Sequence, residues 1–213
     1  MNTDVEIPPT IDVAVAKPTY IRNENIANEE RVRGHLKNSG VDLSERSDIF
    51  CYFFTHAYEF LREGDGDNQP GRMGYLTSNR WLTAGYGKDL QEFLLNNTKI
   101  KAIIDFQTQQ FDVPLISTCV TILERCDDEE ERNENFTELL HVQQELSPGE
   151  IIEILETDHE AGTLEDEEQG RYRRVTLRQG DLYEIDRWDR YLYAPGVYWD
   201  FVDHEQVCQF EEI

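Results

Sequence analysis

The sequence predicts an α/β fold: a mostly parallel sheet, followed by a small α+β extension. Three observations carry this. Short apolar runs alternate with amphipathic stretches of helical length as far as Leu123. Gly and Pro punctuate the boundaries between them. Beyond residue 126 the alternation weakens into acidic, turn-rich sequence. The expected division is therefore 1–126, the sheet-bearing part, and 127–213, the extension.

The elements follow in order. Residues 11–16 (IDVAVA) are an apolar run leading straight into Lys17-Pro18, which reads as a buried strand ending at a loop. Residues 23–37 are polar and charged, either a helix or a loop. Residues 47–63 carry apolar side chains at helical spacing, with Ser47 or Asp48 as N-cap. A turn-rich break spans Gly64 to Gly71. Met73 to Thr77 reads as a strand, and Ser78 opens a helix interrupted near Gly85 and Gly87. Ile100 to Phe106 and Ser117 to Leu123 are two further strands.

Residues 127–135 (DDEEERNEN) are expected as an acidic loop, and Phe136 to Val142 as a strand. Ser147-Pro148-Gly149-Glu150 fits a capping box that opens a short helix. Residues 157–170 are acidic and expected as a solvated loop. Tyr172 to Leu177 reads as a strand, and the remaining segment is rich in aromatic residues. No repeat recurs at a fixed period.

The charge balance is extreme: 44 acidic residues against 20 basic ones, a net charge of −24, with only five Lys. Such a surface suits a high-salt cytoplasm, where a short Debye length removes the self-repulsion. Acidity ordinarily argues against nucleic acid as a partner. In strong salt counterion release loses its force, so net charge does not exclude DNA. No apolar run approaches the ~20 residues of a membrane-spanning helix, and the N-terminal residues lack the pattern of a secretory signal. The expectation is a cytoplasmic protein without a membrane partner. Cys51, Cys119, Cys126 and Cys208 form no CxxC and no Cys/His pair at zinc spacing, so no metal is expected. Cys51 and Cys119 lie inside apolar runs and read as small buried hydrophobes.

The segment Ile11 to Ile26 resembles the catalytic loop of adenine-N6 DNA methyltransferases. There a strand ends in Asn/Asp-Pro-Pro-Tyr/Phe, often followed by Ile-Arg. Here Lys17-Pro18-Thr19-Tyr20 precedes Ile21-Arg22. The helix from Ser47, the run from Gly71 to Phe106 and the segment Phe111 to Leu123 are similar to the family's next elements, in the same order. The likeness covers roughly residues 11–125 and is strongest to the gamma arrangement of restriction–modification methyltransferases. It implies a partial Rossmann-like methyltransferase sheet, the catalytic half, mostly parallel with a terminal hairpin at Phe111 to Leu123, with S-adenosylmethionine as methyl donor and double-stranded DNA as substrate.

The chemistry gives the loop its logic. The exocyclic amine of adenine is a poor nucleophile, because its lone pair is delocalised into the ring. The family localises that pair with two acceptors on the amine hydrogens: the Asn/Asp side-chain oxygen and the first Pro carbonyl. The aromatic residue stacks on the flipped base. Carried over, Pro18 supplies its carbonyl, Tyr20 stacks on the adenine and Phe111 resembles the second aromatic wall; read without the likeness, Phe111 is a core residue. Lys17 has three donors and no acceptor, so it cannot replace Asn. Thr19 loses the stiffness of a second Pro.

The family's Phe-x-Gly-x-Gly cofactor loop has no counterpart before Ile11, and Gly64-Asp65-Gly66 comes too late in the order. Asp48 and Phe50 match the helix that borders the cofactor adenine; without the likeness they read as a helix cap and a core residue. The expectation is a truncated or split adenine-specific methyltransferase, whose cofactor-binding half comes from a separate chain. The alternative is a catalytically dead remnant that binds DNA or a partner. The aromatic cluster from Trp188 to Trp199 resembles the stretch leading toward a target-recognition domain.

Overall fold

The computed structural model describes residues 10–19, 21–26, 34, 43–65, 68–107, 117–158, 160–166, 169–185, 187–195 and 198. Seven strands form one sheet: β1 (Val13–Ala16), β2 (Arg72–Ser78), β3 (Thr98–Phe106), β4 (Thr118–Arg125), β5 (Phe136–Val142), β6 (Gly162–Glu165) and β7 (Tyr172–Arg178). Their order across the sheet is β1-β2-β4-β3-β5-β7-β6. Among the described residues five helices flank it: α1 (Ile49–Phe60), α2 (Gly87–Asn97), α3 (Glu129–Asn133), α4 (Pro148–Glu156) and α5 (Asp189–Tyr193).

The α/β class is as expected, but the pairing differs from a mostly parallel sheet. Only β1/β2 and β3/β5 pair in parallel; the other four pairings are antiparallel. The cause is the position of two reversed strands. β4 turns back after β3 and inserts between β2 and β3, and β7 lies between β5 and β6. Strands β1, β2, β3 and β5 still share one direction, so their carboxyl ends lie along one edge.

Each face of the sheet has its own cover. On one face α1 and α2 bury Phe50, Phe54, Leu90 and Leu94 against Met73, Tyr75, Ile100 and Ile103. Trp81 and Trp188 meet edge to face at 5.8 Å in this core. On the other face α4 covers β3, β5 and β7 through Ile151, Ile154 and Leu155, which pack on Ala102, Ile104, Leu140 and Val142.

The main core runs through residue 126 without a break, because Leu139, Val175, Leu177, Leu182, Trp188 and Leu192 belong to it. Gln179, fully buried, fastens the two parts. Its side chain accepts from the Ile100 amide at 2.8 Å and donates to the Thr98 carbonyl at 2.7 Å. The expected small extension is thus built into the same sheet.

Local signals behaved as physics requires. The capping box at Ser147 is formed: its hydroxyl accepts from the Glu150 amide at 3.3 Å, and Glu150 accepts from the Ser147 amide at 2.8 Å. The helix interruption falls at Gly85, between a 3-10 turn (Asn79–Leu82) and α2, which Gly87 opens. Two loop expectations are corrected. The acidic stretch contains α3, nucleated by Asp128, whose carboxylate accepts from the Glu131 amide at 2.8 Å. The stretch after 157 contains β6, which exists by pairing with β7.

Candidate active site

The expected catalytic loop sits at the carboxyl edge shared by β1, β2, β3 and β5. Ligands of open α/β sheets bind at this edge, because the loops that leave the strands there are free to vary while the sheet holds them rigidly. Lys17 follows the last residue of β1 and is exposed; Pro18 is buried and Thr19 exposed. Tyr20 lies outside the described residues, as does Phe111. Past the loop, the Ile21 carbonyl accepts from the Ile49 amide at 3.1 Å, which ties the loop to the N-terminus of α1.

Asp48 is the N-cap residue of α1, but its carboxylate makes no cap hydrogen bond. It accepts instead from the Tyr86 hydroxyl at 2.9 Å. Burial, then the Asp48 charge, push the Tyr86 phenol well above its ordinary range. Phe50 is 1% exposed and packs in the main core.

A polar cluster that sequence reasoning missed lies farther along the same edge. Asp105, at the end of β3, is 1% exposed. Its carboxylate accepts from Asn79 Nδ2 at 2.7 Å and lies 2.9 Å from His141 Nδ1 at the end of β5. Tyr193 of α5 stands edge-on to the His141 ring at 4.9 Å. Burial and the nearby Asp105 carboxylate raise the Tyr193 phenol. The Asn79 amide also donates to the Ser117 carbonyl at 3.1 Å, and the Gln107 amide to the Val142 carbonyl at 2.9 Å. The available signal was an acidic residue ending an apolar strand, in IKAIIDF. Its partners come from the 3-10 turn after β2, from β5 and from α5, which no local pattern connects.

Asp48 is engaged by Tyr86 and Phe50 is enclosed in the core. Gly64 lies beside Pro70, before the start of β2 and so at the opposite edge from Lys17. Among the described residues no group of three or more His, Cys, Asp or Glu is arranged to hold a metal ion.

Sheet and edge define the class. The fold is similar to that of a solved Listeria monocytogenes protein assigned to the class I S-adenosylmethionine-dependent methyltransferases, with a TM-score of 0.51 at 15% identity over 70% of this chain and 42% of that one. It is also similar to that of two solved restriction–modification proteins. The methyltransferase subunit of a type I restriction–modification system from Streptococcus thermophilus matches with a TM-score of 0.63 at 14% identity, over 90% of this chain and 40% of that one. The type IIG restriction endonuclease BpuSI matches with a TM-score of 0.59 at 15% identity, over 84% of this chain and 20% of that one.

Sequence carries the assignment further. The Eco57I restriction-modification methylase family matches residues 5–111, and the chain belongs to that family. The Type II methyltransferase M.BstVI of Geobacillus stearothermophilus is 30% identical over 102 residues, 47% of this chain and 17% of that protein. M.XhoI of Xanthomonas vasicola is 26% identical over 123 residues, 56% of this chain and 21% of that protein. The matched stretches thus span about a fifth of these relatives.

Proposed function

We propose that this chain carries the catalytic half of an adenine-specific DNA methyltransferase of a restriction–modification system. Methyl passes from S-adenosylmethionine to adenine N6 in double-stranded DNA. The observation that supports this best is the position of Lys17-Pro18-Thr19, at the carboxyl end of β1, within the family-matched region.

Each loop residue has a role in this reading. The Pro18 carbonyl accepts one amine hydrogen of the flipped adenine. Tyr20 stacks on the base, and Phe111 forms the opposite wall. S-adenosylmethionine supplies an electrophilic methyl group when bound. Asp48 and Phe50 border its site from the α1 side, and the rest of the cradle comes from outside these 213 residues. Lys17 leaves the second amine hydrogen without an acceptor and adds a positive charge opposite the sulfonium.

The isolated chain is therefore expected to be nearly inactive. The test is methyl incorporation into duplex DNA, with N6-methyladenine identified after digestion, in the presence of the cofactor-binding portion. Lys17→Asn should raise the rate by roughly 100-fold, the scale of one well-placed polar group at a reacting centre. Absence of N6-methyladenine with both the substitution and the cofactor-binding portion present refutes the reading.

Lys17 also favours a second reading, a non-catalytic remnant that binds DNA or a partner. Calorimetric titration in the presence of the cofactor-binding portion separates the two: S-adenosylmethionine binding by the assembly would exclude a remnant that only binds DNA or a partner.

A further inference from the structure

The two edges of the sheet treat their cations differently. At the amino edge Arg72 holds Glu124 at 2.9 Å and Arg125 holds Glu63 at 2.6 Å, while Arg62 and Arg178 pair with Asp12 and Glu134. At the carboxyl edge Arg80, in the turn after β2, and Arg190, on α5, are exposed. Among the described residues neither meets a carboxylate. Acids close by are already engaged: Asp189 accepts from Arg187 at 2.7 Å, and Asp105 is held by Asn79 and His141. In a chain with 44 acidic residues, these two guanidinium groups stay open to an anion from outside.

An aromatic ring stands with them. Tyr193 lies one turn along α5 from Arg190, so the two share a helix face. It is 41% exposed, yet it is fixed from behind. Its hydroxyl accepts from Asn79 Nδ2 at 3.3 Å, and its ring meets the His141 ring edge to face at 4.9 Å. Arg173, buried on β7, donates to the Ala194 carbonyl and so holds the end of α5. Asn79 is held in turn by Asp105, and it adjoins Arg80 in the chain. The buried Asp105–His141 pair therefore props a half-exposed ring beside two unpaired arginines. Cations for phosphate with a fixed ring for sugar fit a nucleic-acid backbone.

We infer that Arg80, Arg190 and Tyr193 form a backbone-contact patch for double-stranded DNA, separate from the catalytic loop. The arginines hold two phosphates, and the Tyr193 ring packs on an adjoining sugar. The duplex as occupant rests on the methyltransferase reading above, which the patch deepens. Tyr193 stands at the end of β5, four places from β1 across the sheet, roughly 19 Å at ~4.8 Å per strand. That is about half a turn of duplex, so DNA running along the edge reaches both the loop and the patch. Arg190 and Tyr193 also lie beyond residues 5–111, the stretch that the family matches. The patch fixes where the duplex sits without touching the flipped base.

The test is fluorescence anisotropy of the full chain with a labelled duplex of roughly 30 base pairs, about three turns, titrated at several KCl concentrations. Arg80→Gln/Arg190→Gln should weaken binding roughly tenfold at low salt. It should also lower the slope of log affinity against log salt by about 2, one for each phosphate contact. Both arginines face solvent, so the fold is kept. Arg72→Gln/Arg178→Gln removes the same charge from the amino edge and should leave the slope unchanged. Tyr193→Leu should weaken binding roughly fivefold or more at an unaltered slope, because a ring is lost and no charge. No duplex binding by the parent chain, an unchanged slope in the carboxyl-edge variant, or an equal loss in the amino-edge variant would each overturn the inference. So would equal affinity for polyglutamate, or tighter binding of single-stranded DNA of the same sequence. If the variants lose duplex affinity as stated, yet Lys17→Asn with the cofactor-binding portion never forms N6-methyladenine, only the functional reading falls.

Discussion

Single residues here are governed by what burial does to charge. Cys119 is fully buried beside Thr77, and burial lifts its thiol from the ordinary 9.0 to about 12. Cys51 is lifted in the same direction, by burial and then by the Asp48 charge. A thiol whose folded value is raised stays protonated in the native state and ionises in the unfolded chain. Its contribution is therefore complete below the unfolded value and is lost as pH rises from about 9 toward about 12. Two measurements check this. Urea midpoints should fall over that alkaline range. Iodoacetamide at pH 8 should leave Cys51 and Cys119 unmodified in the native protein and label both in urea. Labelling of either in the folded chain at that pH would contradict the burial argument. The sequence made both cysteines legible as core residues, because each sits inside an apolar run. It did not reveal Asp105, His141, Asn79 and Tyr193 as one cluster. Asp105 and His141 are 36 positions apart in the chain and meet only through parallel pairing of β3 with β5.

Elements here are fixed by contacts that are sometimes local and sometimes remote. The capping box at Ser147 was legible because its donor and acceptor lie three residues apart. The strand β6 was not, since GTLE has no apolar alternation and becomes a strand only against β7. The reversal of β4 against β3 was expected from the family's terminal hairpin, but its insertion between β2 and β3 was hidden, because nothing in STCVTIL states which neighbours it takes. Arg174 shows how a remote contact holds an element. It is 2% exposed and grips Glu138 with two hydrogen bonds, 2.8 and 3.0 Å. The same guanidinium donates to the carbonyls of Ile154 and Thr157 at the end of α4, at 2.6 and 2.8 Å. Arg174→Met should cost about 3–5 kcal/mol in urea denaturation, because Glu138 is left without its partner. The double variant with Glu138→Leu should lose less than the sum of the single changes. Gly87 supplies a second test. A Cβ there would strike the Trp81 carbonyl, which also accepts from Gln91 at 3.0 Å. Gly87→Ala should destabilise by about 1–3 kcal/mol despite its higher helix propensity. A neutral outcome would mean that the turn before α2 yields easily.

The whole molecule is dominated by its charge. A net −24 on 213 residues opposes compaction, and the opposition is long-ranged at low salt. Raising KCl from 0.1 M to 2 M shortens the Debye length from about 10 Å to under about 3 Å. The thermal midpoint should climb by on the order of 10 °C across that range. A flat response in calorimetry would remove the case for a protein built for concentrated salt. No helix among the described residues is long and apolar enough to cross a membrane.

The strand order also dictates when this chain can fold as it leaves the ribosome. β2 and β3 never touch directly; β4 lies between them and is synthesised last of the three. Until Thr118–Arg125 has emerged, the nascent chain holds a β1–β2 pair and an isolated β3 with no strand to join them. Arrival of β4 joins both pieces in one step, across seven residues of β2 and eight of β3. Ribosome-stalled chains ending before residue 118 should be sensitive to protease, and chains with β4 fully exposed from the exit tunnel should gain resistance abruptly.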